Sequence, residues 1–93
     1  MLGFSSSAWA HLPVAQCKVE GPQVVCKGGF SDGSGAVGVP IEVLDYNDNI
    51  LVEGRLDERS EFRFDLPEDD FYVFMNAGVG HTVELDKSDI EGL

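Results

Sequence analysis

Cys17 and Cys26 stand symmetrically about the dipeptide Gly21-Pro22, with Val19, Glu20, Gln23 and Val24 between them. Gly-Pro is turn chemistry, because glycine reaches positive φ without steric cost and the proline ring presets its own φ. A turn centred there pairs Glu20 with Gln23, Val19 with Val24 and Cys17 with Cys26, and any symmetric loop about the same centre keeps the cysteines opposite one another. Directly opposed residues on antiparallel strands have Cα separations that a disulfide can bridge, most readily at non-hydrogen-bonded pairs. The spacing predicts a hairpin closed by a Cys17–Cys26 disulfide, and with it an oxidising compartment. Two buried reduced thiols and a soft-metal pair are the alternatives. The second lacks a further cysteine or nearby histidine to complete a tetrahedral set.

The remainder of the chain continues the β pattern, with alternating or β-rich runs separated by Gly, Asn, Asp and Pro. Strands are predicted at about Pro13 to Val19, Gln23 to Phe30, Val39 to Asp45, Ile50 to Leu56, Glu61 to Leu66, Phe71 to Asn76 and Thr82 to Asp86. No segment reads as a helix. Asp32-Gly33-Ser34-Gly35, Asn47-Asp48-Asn49 and Pro67-Glu68-Asp69-Asp70 read as turns. In Glu61-Phe62-Arg63-Phe64-Asp65-Leu66, the three apolar residues share one face and Arg63 and Asp65 the other, the signature of a sheet buried on one side. Ile41 and Val43 alternate with Glu42, and Ala15, Cys17, Val19, Val24 and Cys26 share a face of the first hairpin; these residues should form the core. Seven short strands with this alternation predict an all-β, single seven-stranded Greek-key β-sandwich, with a small barrel as the other closed arrangement.

Size and charge narrow the function classes. With 93 residues the chain fits one domain. Its 17 acids against 6 bases give a formal charge of −11, which repels phosphate backbones and anionic headgroups and argues against nucleic acid as a partner. No apolar run approaches the ~20 residues that span a bilayer. The start, MLGFSSSAWA, places small residues at the −3 and −1 positions before His11, as a secretory cleavage site requires, although its apolar run is short and no basic residue precedes it. The expected organisation is therefore a leader or signal-peptide remnant over residues 1–10 and a β-sandwich domain over 11–93.

The segment from Gly38 to Gly78 resembles the transthyretin-like or carboxypeptidase-regulatory-like β-sandwich. Leu56-Asp57-Glu58-Arg59-Ser60-Glu61-Phe62-Arg63-Phe64 matches its D-E-x-G-E-F-x-F run, with Ser60 where glycine is usual. A narrower resemblance uses the ends as well, in the order Ala10-His11 at a mature start, Val19-Glu20-Gly21, the stretch Gly29 to Gly33, the D-E-x-x-E-F-x-F run and Asn76-Ala77-Gly78-Val79-Gly80-His81. In this order the chain is similar to the small extracytoplasmic accessory component of nickel or cobalt transporters of the energy-coupling-factor type. That resemblance implies an extracytoplasmic location, in the periplasm or at the outer face of the cytoplasmic membrane. It also implies transporter membrane subunits as partners, and a mature chain that starts with histidine. Members of that family continue into a linker or coiled coil and a membrane anchor, so an anchor after Leu93 belongs to the expectation.

The chain has two histidines, His11 and His81. Imidazole is the commonest ligand for nickel, cobalt, copper and zinc. As a first residue, His11 would add its α-amine and close a small chelate ring on one ion, a gain that vanishes if Ala10 remains attached. The expected ligand set is His11 with His81 for a transiently held divalent transition metal, nickel or cobalt. Glu84 and Asp86 are further oxygen donors without a specific signal, and Met75 reads as core. Phe30 to Gly35 lacks the alternating acids and terminal glutamate of a calcium loop. The absence of a G-x-S-x-G elbow and of a phosphate-cradling glycine loop before a helix argues for a non-enzyme. The rival class is a β-sandwich interaction module docking a membrane or cell-surface partner through its edges or loops. A sugar-binding module is disfavoured because the phenylalanines fall at core positions.

Overall fold

The structure, a computed structural model, describes residues 12–93. Its first element is the predicted hairpin. Strands β1 (Pro13–Glu20) and β2 (Gln23–Phe30) pair antiparallel with Glu20 opposite Gln23 and Cys17 opposite Cys26. Gly21 takes a φ of 61°, the conformation a two-residue primed turn demands at its first central position. Cys17 and Cys26 form a disulfide and lie buried in the core.

Five further strands follow: β3 (Pro40–Asp45), β4 (Ile50–Arg55), β5 (Glu61–Asp65), β6 (Phe71–Asn76) and β7 (Thr82–Leu85). They divide into a three-stranded sheet ordered β1-β2-β5 and a four-stranded sheet ordered β4-β3-β6-β7, antiparallel at each named pairing. The molecule is thus an all-β, seven-stranded sandwich whose connections cross between sheets in the Greek-key manner. Its interior is built from Val24 and Phe64 on the smaller sheet and Ile41, Val43, Phe71, Val73 and Met75 on the larger. Phe64 meets Phe71 edge to face at 5.9 Å between ring centroids. A Cβ at Gly28 would lie 2.6 Å from Leu56 Cδ1 and 2.7 Å from Met75 Sδ, so the missing side chain lets β2 settle onto the opposite sheet.

One expectation is corrected, and two further features go beyond the alternation. Leu66 is 37% exposed and lies just past β5. Its backbone N–H bonds to the carbonyl of Pro22, so the strand period that would turn it inward ends at Asp65. Val25, on the outward face by strict alternation, is nevertheless buried. Lys18 and Arg63 flank it directly across the two strand pairings, and both bond to Glu20, so their aliphatic stems shield it. Finally, the end of the chain is structured. Lys87–Asp89 form a 3-10 turn with a reciprocal capping box between Asp86 and Asp89. This turn delivers Ile90 into the core at 3% exposure, and Glu91 then bonds to the backbone of Cys17 and Val19 beside β1.

Antiparallel register fixes what lies at each end of the sandwich. Pro13 pairs with Phe30, Lys27 with Glu61, Pro40 with Arg55, Ile41 with Met75 and Asn76 with Thr82. One pole therefore gathers the entry to β1, the connections 31–39 and 56–60, and the β6–β7 turn. The other gathers the turns 21–22, 46–49 and 66–70 and the segment 86–93. Strands β1 and β7, the edges of the two sheets, run side by side.

Candidate functional site

His81 ends the β6–β7 turn, immediately before Thr82 opens β7, and is exposed. The turn is held by its own backbone: the His81 N–H donates to the Gly78 carbonyl at 2.8 Å and the Ala77 N–H donates to the His81 carbonyl at 2.9 Å. Asn76 Oδ1 accepts the Gly78 N–H at 2.9 Å, an Asx-type closure that starts the turn. Gly78 and Gly80 adopt φ of 125° and 77°, values that a side chain would strain. The ring nitrogen Nδ1 of His81 lies 3.0 Å from the Val79 carbonyl oxygen.

His11 lies outside the described residues, as does the leader expected over 1–10. Leu12, the next residue, is hydrogen-bonded at the pole that carries His81: its N–H donates to Ser31 Oγ at 3.1 Å, and its carbonyl accepts the Ser31 N–H at 2.8 Å. Among the described residues, no three His, Cys, Asp or Glu side chains converge on a point that could hold a metal ion. Asp86 is five residues along an extended strand from His81, roughly 16 Å. Its carboxylate is already bonded by the Tyr46 hydroxyl and the Lys87 N–H. Met75 is core, 1% exposed.

The charge is unevenly distributed. Connections at the His81 pole carry Asp32, Asp57 and Glu58 with Arg59, whereas the opposite pole carries Asp48, Glu68, Asp69, Asp70, Asp86, Asp89 and Glu91 with Lys87. Strands of this length separate the poles by roughly 20 Å, beyond the ~8 Å screening length at physiological salt. Most of these carboxylates are therefore remote from His81.

At that acidic pole, sequence reading missed a pair of tyrosines. Tyr46 and Tyr72 stack obliquely at 5.5 Å. The Tyr46 hydroxyl donates to Asp86, and that of Tyr72 donates to Asp48 at 2.9 Å. The bond to Asp86 pushes the Tyr46 phenol up to about 12, and the bond to Asp48 raises Tyr72. Both phenols are consequently held as donors, unsuited to nucleophilic work near neutrality. Nothing in the local alternation signals this pairing, because it joins the β3–β4 turn to β6 and the 3-10 turn.

No family model matches the chain, and no curated protein matches it. Among solved structures it is similar to native alpha-2-macroglobulin from Escherichia coli spanning domains NIE-MG1, with a TM-score of 0.75 at 10% identity. The match covers 84% of this chain and 38% of that one. At that identity the likeness concerns the fold.

Proposed function

We propose that this domain is an extracytoplasmic metal-handling accessory of a nickel or cobalt uptake transporter. It holds the divalent cation transiently and passes it to the membrane subunits, a binding role without turnover. The observation that supports this best is the common pole. Leu12, one peptide bond from His11, is anchored at the end of the sandwich where His81 closes the β6–β7 turn. The reading takes His11, with the α-amine freed if the chain is cut after Ala10, as the partner of His81 because its sequence neighbour Leu12 is held at that pole. The disulfide supports the oxidising compartment that the reading requires. Among the described residues fewer acids stand at the His81 pole than at the opposite one, and the nitrogen donor that His81 offers suits nickel and cobalt better than calcium or magnesium.

The test is calorimetric titration of nickel into protein that begins at His11 and into protein that retains residues 1–10. The trimmed form should bind more tightly, and His81→Ala in that form should weaken binding by about tenfold or more, ~1.4 kcal/mol per decade. Equal, weak binding by both forms would remove the chelate.

A second reading, an interaction module that docks a membrane or cell-surface partner without metal, is favoured by β4, an edge strand with no further strand paired to it among the described residues. Ile50 and Leu51 are 50% and 45% exposed there, and an unpaired strand edge can accept a partner strand.

A further inference from the structure

We infer that the β6–β7 turn fixes the tautomer of His81: Nδ1 carries the proton and donates it to the Val79 carbonyl, leaving Nε2 with its lone pair open to a ligand. The 3.0 Å contact is between Nδ1 and a carbonyl oxygen, and a carbonyl can only accept. A hydrogen bond therefore requires the proton on Nδ1, and a neutral imidazole with Nδ1–H has an unprotonated Nε2. Among the described residues, no hydrogen-bond partner competes for Nε2. A freely solvated histidine prefers the opposite, Nε2–H form, so the turn reverses the intrinsic preference of the ring.

The turn is built to hold that geometry. The Asn76 side chain captures the Gly78 N–H, the His81 N–H closes on Gly78, and the Ala77 N–H closes on the His81 carbonyl. The positive φ of Gly78 and Gly80 folds the chain back so that the carbonyl two residues before His81 meets its ring. Ligand histidines of metal sites characteristically donate their second ring N–H to a carbonyl or carboxylate, which orients the ring and raises its basicity. This inference rests on the metal reading only for the identity of the ligand, a divalent transition cation. Asn76 and the Val79 carbonyl are positioning groups for that ligand nitrogen.

The experiment is a long-range proton–nitrogen correlation spectrum of the nitrogen-15-labelled, metal-free protein at alkaline pH, with the His81 ring assigned by its loss in His81→Ala. The expected result is a protonated-type Nδ1 and an unprotonated-type Nε2. In Asn76→Ala, with the amide spectrum as a check on folding, the ring should move toward the Nε2–H form. An Nε2–H ring in the parent protein overturns the inference, whatever nickel does. An unchanged ring in folded Asn76→Ala removes Asn76 as a positioning group. Nickel chloride added to the parent protein then addresses the metal reading separately. If the ring is Nδ1–H and nickel broadens neither imidazole, the positioned tautomer stands and metal handling falls.

Discussion

The hydroxyl of Ser60 accepts the backbone N–H of Ala36 at 2.8 Å, tying the β4–β5 connection to the β2–β3 connection inside the core. Ser60 is 4% exposed and holds a φ of 62°, a left-handed conformation that costs a non-glycine residue about 1–2 kcal/mol. Ala36 is itself buried, so its N–H would otherwise be stranded. The hydroxyl thus offsets the backbone strain at a position where glycine would carry none. Ser60→Ala keeps the strain and orphans the N–H, and should cost about 1–3 kcal/mol in urea unfolding. Ser60→Gly relieves the strain while losing the bond, and should cost less than Ser60→Ala. The reverse order would contradict this account.

The Cys17–Cys26 bridge closes a short loop, for which chain entropy predicts a stabilisation of about 2–3 kcal/mol. The double substitution Cys17→Ala with Cys26→Ala should lower the melting temperature but retain the strand-rich circular dichroism spectrum, because the Gly21-Pro22 turn and the apolar face still set the register. Thiol titration of the purified protein, native and then denatured without reductant, should detect no free cysteine in either state.

Two apolar positions that look alike in sequence should respond differently to truncation. Phe71 is 1% exposed and touches Phe64 across the sandwich, whereas Leu66 is 37% exposed. Phe71→Ala should cost about 3–5 kcal/mol, and Leu66→Ala less than about 1 kcal/mol. Chemical denaturation of the two variants distinguishes the observed end of β5 from a strand that continues through Leu66.

Stability should fall in acid through two aspartates at turns. The Asn49 side-chain amide, followed by its backbone N–H, holds the Asp45 carboxyl below the usual range, and the Glu61 and Arg59 backbone N–H groups do the same for Asp57. Unfolded chains bind these protons more readily than the folded protein does. Their contribution is therefore complete above the ordinary carboxylate value of about 3.9 and is lost as pH drops through the lower folded values. Thermal melts across that window should show less acid sensitivity in the Asp45→Asn, Asp57→Asn double variant than in the parent.

At the alkaline end, the Tyr46 phenol is pushed up to about 12 by its bond to Asp86. The raised value stabilises the protonated phenol in the fold, so this contribution is complete below the ordinary value of about 10 and disappears as pH rises through the folded one. Ultraviolet titration of phenolate should show late ionisation in the parent, and Asp86→Asn should bring Tyr46 back toward 10.

The first hairpin, the disulfide pairing, the strand count and most inward-facing residues were legible because each depends on neighbours a few positions apart. The signals were turn residues at the centre of a symmetric run and side chains alternating across a pleat. Ile90 was not legible. Its only local signal was the Asp86–Asp89 cap before it, and its burial depends on the chain leaving β7 and reaching the backbone of Cys17 and Val19. The burial of Val25 was not legible for a related reason, since its cover comes from residues on two other strands.

The candidate site divides in the same way. The two imidazoles and the glycines of the β6–β7 turn could be named from the chain, because residue type and turn chemistry are local properties. That Leu12 and His81 belong to one pole, that Glu84 and Asp86 lead away from it, and that Val79 offers its carbonyl to the imidazole followed only from the folded arrangement. Strand order and sheet partition arise from pairings between residues far apart in sequence, each gaining its free energy only when the others have formed. Periodicity can specify which face of a strand is apolar. It carries no record of which strands will share an edge.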